Sequence, residues 1–162
     1  EHVIKQNRQH FAFLGGVSTG SPEFLDRYSG HCQAIKDNNL IVDSHRQVDA
    51  ISTNESGYQA AQQLIAKGIK FDAICAASDL IAIGAMRALQ DAGFKVPGDI
   101  AIVGFDDIAT ASSTSPALTT VKQDTVLAGE LLVDKLLQLV SGEDAQTQLM
   151  PTTLVVRKSC GS

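Results

Sequence analysis

Residues 71–123 constrain the fold of this chain more than any other stretch: FDAICAASDLIAIGAMRALQDAGFKVPGDIAIVGFDDIATASSTSPALTTVKQ. A short apolar run from Ala73 to Ala76 stops at Ser78-Asp79 and passes into a helical pattern that ends at Gly93. A second apolar run, Ile100 to Phe105, stops at Asp106-Asp107. Short unbroken apolar runs are strands buried on both faces. Each run here hands over, at its C-terminal end, to small polar or acidic side chains. That is the plan of an open α/β sheet whose strand ends border a polar ligand crevice.

The same alternation continues on either side. Phe11 to Leu14 predicts a strand, followed by a glycine-rich turn from Gly15 to Gly20. Ser21-Pro22-Glu23 opens a helix, because a hydroxyl N-cap, Pro at N1 and an acid in the first turn suit the free N–H groups and the macrodipole. Phe24, Leu25, Tyr28, Cys32 and Ile35 give that helix an apolar stripe, and Asn38-Asn39 ends it. Val48 to Ile51 predicts a strand, Ser52-Thr53-Asn54-Glu55 a capping box, and the helix behind it runs to Gly68. Thr119 to Lys122 is a further strand. Asp124 caps a helix reaching Val140, with Leu127, Leu131, Leu132, Leu136, Leu137 and Val140 apolar. Leu149 to Val156 is a last strand, with Pro151 marking an edge or a strand start. Strands alternating with long helices imply right-handed crossovers and an α/β fold: a parallel open sheet flanked by helices on both faces.

Composition narrows the function classes. At 162 residues and 44% apolar the chain is the size of one ordinary domain with a real core. Aromatics at 5%, with no Trp, argue against a stacking platform for single-stranded nucleic acid. A formal charge of −5 without clustered Lys and Arg argues against phosphate neutralisation, so this chain alone is not expected to hold DNA. Cys32, Cys75 and Cys160 are odd in number and far apart, as reduced thiols of a cytoplasmic protein would be. No eighteen-residue apolar window and no basic-then-apolar N-terminus occur, so neither a membrane span nor a signal peptide is expected. The first residue is Glu rather than Met, so a leader removed with preceding sequence remains compatible with the pattern.

Motifs for chemistry are thin. The Gly15–Gly20 spacing lacks the Lys and Ser/Thr that a phosphate loop needs next, and Ser21 and Pro22 stand there instead. His2, His10, His31 and His45 share no metal-ligand spacing, G-x-S-x-G is absent, and no His follows Asp106 to complete a hydrolase order. No cofactor, metal or catalytic residue is expected. Asp106 and Asp107 exit a strand in different directions, so at most one faces a crevice while the other could cap the next short helix. Glu23 and Arg27 form an i,i+4 pair that reads either as a surface ion pair or as part of the strand-end rim. Ser78-Asp79 reads as an N-cap with a first-turn acid, or as a ligand contact. Five strand exits nevertheless converge on one edge of a parallel sheet: Gly16–Arg27, Ser52-Thr53, Ser78-Asp79, Asp106-Asp107 and Gln123. Together they supply hydroxyls, carboxylates, an amide and a guanidinium, a hydrogen-bonding set for a small polyol without a nucleophile–base pair.

ASD-x-x-A-x-G, VP-x-D-I-A-I-V-G-F-DD and P-A-L-TTV, in this order, resemble the effector-binding core of the LacI/GalR family of bacterial transcription regulators. EHVIKQNRQHFAFLGG resembles the helix and strand leading from the first effector-binding subdomain into the second, with Asn7 where glycine is common. RYSGHCQAI, LLQLVSG and MPTTLVVRKS resemble later family segments, so the likeness covers nearly all of residues 1–162. The resemblance implies a partial effector-binding domain, mainly its C-terminal subdomain, with the helix over residues 124–141 packing on an absent N-terminal subdomain. The helix-turn-helix domain would lie outside this chain. Carried over by position, the effector contacts would be Glu23, Arg27, Ser52, Ser78, Asp106 and Gln123. Ser52 stands where an aromatic ring is frequent and Ser78 where Asn is familiar. The helix carrying Ile83 would form a homodimer surface. The implied function is a repressor's sensor for a small sugar, cytoplasmic, binding operator DNA only as the full-length protein. A periplasmic-type sugar-binding receptor of similar fold is the alternative. A sugar-modifying enzyme is a third class, to be recognised by turnover that Asp106→Asn abolishes, and no turnover is expected.

Overall fold

A computed structural model describes residues 1–18 and 21–161, so Thr19 and Gly20 of the glycine-rich turn lie outside the described residues. The strands are β1 (Phe11–Leu14), β2 (Gln47–Val48), β3 (Ala73–Ala76), β4 (Ala101–Asp106), β5 (Thr119–Gln123) and β6 (Thr152–Val155). The helices are α1 (Pro22–Asp37), α2 (Asn54–Ala66), α3 (Asp79–Asp91) and α4 (Thr125–Val140). They build one sheet in the order β2-β1-β3-β4-β5-β6. β1 to β5 are parallel, in a register that aligns Phe13 with Cys75, Cys75 with Val103 and Val103 with Thr119. The C-terminal ends of these strands therefore share an edge.

Alternation along the strands assigns the faces. Phe11 and Phe13 lie against His31 and Tyr28 of α1, with ring centroids 5.1–6.5 Å apart. Ala12 and Leu14 take the other face and join Ala60, Leu64, Ile81 and Leu89 in the main core. α2 and α3 cover that second face in very close approach. A Cβ added to Gly57 would strike the Ile81 backbone, and one added to Gly84 would strike the Asn54 backbone. Gly104 has the same role on β4, because the Asp79 carboxylate and Ala82 occupy the space of its missing side chain.

Three sequence expectations need correction. The last strand is not parallel: β6 pairs antiparallel to β5, with Val121 opposite Leu154. Apolar periodicity carries no strand direction, and an antiparallel edge strand on a parallel sheet is common. β2 covers Gln47–Val48 rather than residues 48–51, because β1, its partner in the sheet, ends at Leu14. Beyond it Asp49 turns aside to accept the Val17 and Ser18 N–H groups at 2.9 and 3.2 Å. Finally, the capping-box register slips by one residue. Thr53, not Ser52, caps α2 by accepting the Ser56 N–H at 3.1 Å.

The starts of α3 and α4 follow the expected chemistry, whereas the hydroxyl cap expected from Ser21 on α1 does not form. Ser78 caps α3 and Asp124 caps α4 through its carboxylate on the Leu127 N–H at 3.0 Å, while Pro22 opens α1 behind Ser21, whose hydroxyl makes no capping bond. The N-terminal residues form only a short 3-10 turn, Ile4–Gln6, closed by Asn7 in the left-handed region at φ 64°. α4 stands apart from the core. None of its residues is buried, and Val126, Leu132 and Val140 are 72, 70 and 77% exposed.

His31 is enclosed by Phe11, Phe13 and Tyr28, and burial pushes its imidazole down to about 4. The unfolded chain therefore binds the extra proton between about pH 6.5 and 4, so this contribution to stability is present above 6.5 and lost as pH falls through that window. Denaturant titrations should show a loss on the order of 2–3 kcal/mol from this residue between pH 7 and 4. His31→Phe should flatten that slope; an unchanged slope would place the dependence elsewhere.

Candidate ligand-binding site

The polar rim at the C-terminal strand ends is built from the second turn of α1 upward. Arg27 projects from α1 over the end of the sheet, where its guanidinium lies 3.8 Å from the Phe105 ring centroid. One of its nitrogens donates to the Ala77 carbonyl, just before Ser78. Another lies 3.7 Å from Asp106 Oδ1, close enough for an ion pair but too far for a hydrogen bond. Gln123 donates its side-chain amide to the same Asp106 oxygen at 3.1 Å. Three elements, α1, β4 and β5, thus meet on one carboxylate.

Asp106 reaches this position through an unusual backbone. Its φ is +117°, and Asp107 follows at +53°. A non-glycine residue so placed costs about 1–3 kcal/mol and persists where surrounding contacts over-determine it. The turn parts the two acids as expected, although neither caps the following helical turn. Asp106 faces Arg27 and Gln123. Asp107 instead pairs with Arg157 at 2.6 Å, and Arg157 also donates to the Leu118 carbonyl.

Electrostatically, Arg27 and Asp106 both shift toward neutrality. Burial lowers the Arg27 pKa against the opposing pull of Asp106 and Glu23. Burial likewise raises the Asp106 carboxyl, against the pull of Arg27 and Gln123 and with a further push from Asp79. Desolvation outweighs pairing on both sides, as expected for a pair held 3.7 Å apart without hydrogen-bond contact. A ligand hydroxyl seated beside the pair, within hydrogen-bond distance of both, would accept from the guanidinium and donate to the carboxylate.

The remaining expected residues follow the same edge. Ser52 Oγ donates to Ser78 Oγ at 2.8 Å, a pairing made available because Thr53 took over the capping of α2. Ser78 is buried, with its hydroxyl also turned toward the Ile81 N–H as the cap of α3. Glu23 is exposed in the first turn of α1 and acts on Arg27 through its charge. Ile83 lies elsewhere, half-buried on α3 beside Tyr58 and Arg87. The structure thus joins Arg27, Asp106 and Gln123 directly, pairs Ser52 with Ser78, and leaves Glu23 at the margin.

Sequence reasoning missed the supports. Asp79 is completely buried and accepts Thr120 Oγ1 at 2.5 Å and the Ile108 N–H at 2.9 Å, locking α3 to the segment after Asp106. Its neighbour Asp107 and its partner Thr120 gave no periodic signal across so wide a separation. Asp49 gave only a faint one, an acid just past a strand and opposite a glycine-rich turn. A mostly apolar cavity of about 290 Å³ opens beneath the rim, between α1 and the sheet, with Phe11, Phe13, Val103, Val121 and Leu154 in its walls. Arg27 belongs to both regions, whereas Asp106, Ser52, Ser78 and Gln123 do not line the cavity. Among the described residues no group of three His, Cys, Asp or Glu side chains is placed to hold a metal ion, and no helix is long and apolar enough to cross a membrane.

The family model described as "Periplasmic binding protein-like domain" matches residues 1–160. The lactose operon repressor of Escherichia coli K12 is 37% identical over 160 residues, covering 98% of this chain and 44% of that protein. A crystal structure of the lac repressor dimer bound to operator and an anti-inducer superposes with a TM-score of 0.90 at 35% identity, over 98% of this chain and 48% of the other. A sugar-binding transcriptional regulator of the LacI family from Escherichia coli, complexed with phosphate, gives 0.88 at 32% identity, over 98% and 57%. The chain therefore spans less than half the length of the repressor it resembles. The match runs through the strands, the capped helices and the acidic strand exit that together form the rim. The chain belongs to the periplasmic-binding-protein-like domain family and, within it, to the LacI/GalR regulators, corresponding to their C-terminal effector-binding portion.

Proposed function

We propose that this chain is the effector-sensing portion of a LacI/GalR-type transcriptional repressor, which binds a small sugar at the Arg27–Asp106–Gln123 rim. The observation that carries the reading is the gap of 3.7 Å between guanidinium and carboxylate, with Gln123 already on the same oxygen. A donor and an acceptor this close can both reach one hydroxyl seated beside them, at hydrogen-bond distance from each. Ser52 and Ser78 extend the polar surface along the edge, and the six contacts are Glu23, Arg27, Ser52, Ser78, Asp106 and Gln123. Sugar contacts favour one arrangement of this subdomain against a companion. Differential affinity for that arrangement changes operator binding by a helix-turn-helix headpiece supplied by the rest of a cytoplasmic regulator. The repressor and regulators described above favour this sensor over an exported receptor of similar fold, and binding over turnover.

Two structural proposals accompany it. The outer side of α3, at Ile83, forms the homodimer surface. α4, with Leu132, Leu136 and Val140 at 70, 59 and 77% exposure, packs on the companion subdomain. Isolated, this chain should self-associate through α4, because an apolar stripe of this extent is unstable in water. Sedimentation velocity should show concentration-dependent dimers or larger species that Leu132→Glu/Leu136→Glu dissolves. A monomer at every concentration would contradict the packing proposal. For the sensor itself, calorimetric titration of the complete regulator with a monosaccharide and disaccharide panel should give saturable heat for at least one sugar, and that sugar should change operator affinity. A folded regulator giving no heat with any sugar would contradict it.

A further inference from the structure

We infer that the ligand of this rim is an uncharged polyol, and that sugars bearing a phosphate or carboxylate are rejected. The inference rests on the sensor reading above and adds the charge class of the ligand. An open α/β sheet offers an anion several positive poles at this edge: helix N-termini, turn N–H groups and any guanidinium. Here the turn after β1, the starts of α2 and α3 and both guanidinium groups already face acceptors from the chain itself, and α1, whose Ser21 makes no capping bond, carries Glu23 in its first turn.

The turn after β1 directs the Val17 and Ser18 N–H groups to one point, and the Asp49 carboxylate fills it. Ser18 Oγ and the Gln47 amide donate to the same carboxylate, the latter at 2.8 Å. A phosphate arriving there would meet a fixed negative charge rather than free donors. At the start of α2, Thr53 Oγ1 takes the Ser56 N–H and Glu55 adds an acid to the first turn. At the start of α3, Ser78 faces the Ile81 N–H, and the Asp79 carboxylate lies buried in the first turn. Arg27 is stacked on Phe105, donates to Ala77 and faces both Asp106 and Glu23. Arg157, the second guanidinium near this edge, is bound to Asp107. Lys122 alternates with Gln123 along β5 and so leaves the strand on the opposite face. Four acids, Glu23, Asp49, Asp106 and Asp107, are thus set at these strand ends against two guanidinium groups, each already facing a carboxylate. The field at the rim is negative, and the groups left to bind are hydroxyls, an amide and a carboxylate. Those suit neutral hydroxyls that both donate and accept.

The test is a paired titration of the complete regulator at low ionic strength, where charge effects are least screened. The neutral probes are glucose, galactose, lactose and cellobiose; the anionic probes are glucose 6-phosphate, galactose 6-phosphate, glucuronate and galacturonate. At least one neutral sugar should bind, with each anionic counterpart at least tenfold weaker, and added salt should narrow the gap. Asp49→Asn should narrow it as well, by several-fold, by releasing the turn N–H groups from a negative occupant; Glu23→Gln is the parallel variant should Asp49→Asn fold poorly. A 6-phosphate or uronate that binds as tightly as its neutral parent overturns the charge inference and leaves the sensor intact. A folded regulator that binds none of the eight overturns the sensor reading and this inference with it.

Discussion

Gly84→Ala is expected to lower the stability of the chain by about 3 kcal/mol, the upper part of the range for overpacked interiors. The new Cβ would collide with the Asn54 carbonyl and approach the Tyr58 N–H, both backbone groups of α2 that cannot rotate away. Helix propensity pulls the other way by about 1 kcal/mol, because alanine is the better helix former. The collision wins, since relieving it requires α2 and α3 to separate and opens contacts along Ala60, Leu64, Ile81 and Leu89. Gly30→Ala in α1 is the internal control. Nothing lies within 4 Å of its added Cβ, so propensity acts alone and a gain of about 0.5–1 kcal/mol follows. Urea midpoints at constant slope would measure both. Equal shifts for the two substitutions would mean that the helix pair is not packed as described.

Arg27→Ala is expected to weaken sugar binding by the complete regulator about 100-fold, roughly 3 kcal/mol, the value of a hydrogen bond to a charged group. The loss has two parts. The ligand loses its donor, and Asp106 loses the cation that opposes its burial, so that its carboxyl pKa rises further from the ordinary range. Arg27→Lys should recover little. An ammonium cannot at once donate to Ala77, lie flat on Phe105 and face Asp106 as the guanidinium does. Calorimetry on variants with unchanged circular dichroism would separate binding from folding. Wild-type affinity in Arg27→Ala would move the ligand away from this rim.

The sequence was most legible where one residue's chemistry decides one local outcome. Ser78 and Asp124 cap helices, Pro22 opens one, and the apolar runs at β3 and β4 fall where expected, because capping and burial are read within a few residues. The rim was legible in outline for the same reason. Strand ends in a parallel sheet share an edge, so topology alone brings Arg27, Asp106 and Gln123 to one rim. What escaped depends on partners far apart in sequence or on backbone geometry. Nothing in the pattern paired Arg157 with Asp107 or Asp79 with Thr120, since neither separation carries a period. The antiparallel direction of β6 is invisible in an apolar run. Ser52 opens a capping-box pattern one residue ahead of the true cap, and its partner, Ser78, lies on another strand exit. The left-handed backbone at Asp106 and Asp107, which aims one acid at Arg27 and the other at Arg157, carries no local sequence signal, since neither residue is glycine.

The most direct test is a crystal structure of the complete regulator with the sugar selected by titration. The expected result places ligand hydroxyls within hydrogen-bond distance of Arg27 and Asp106, with one of them bridging the two groups from beside the pair. Density for the sugar in the apolar cavity under α1, or at any place out of reach of Asp106, would contradict it.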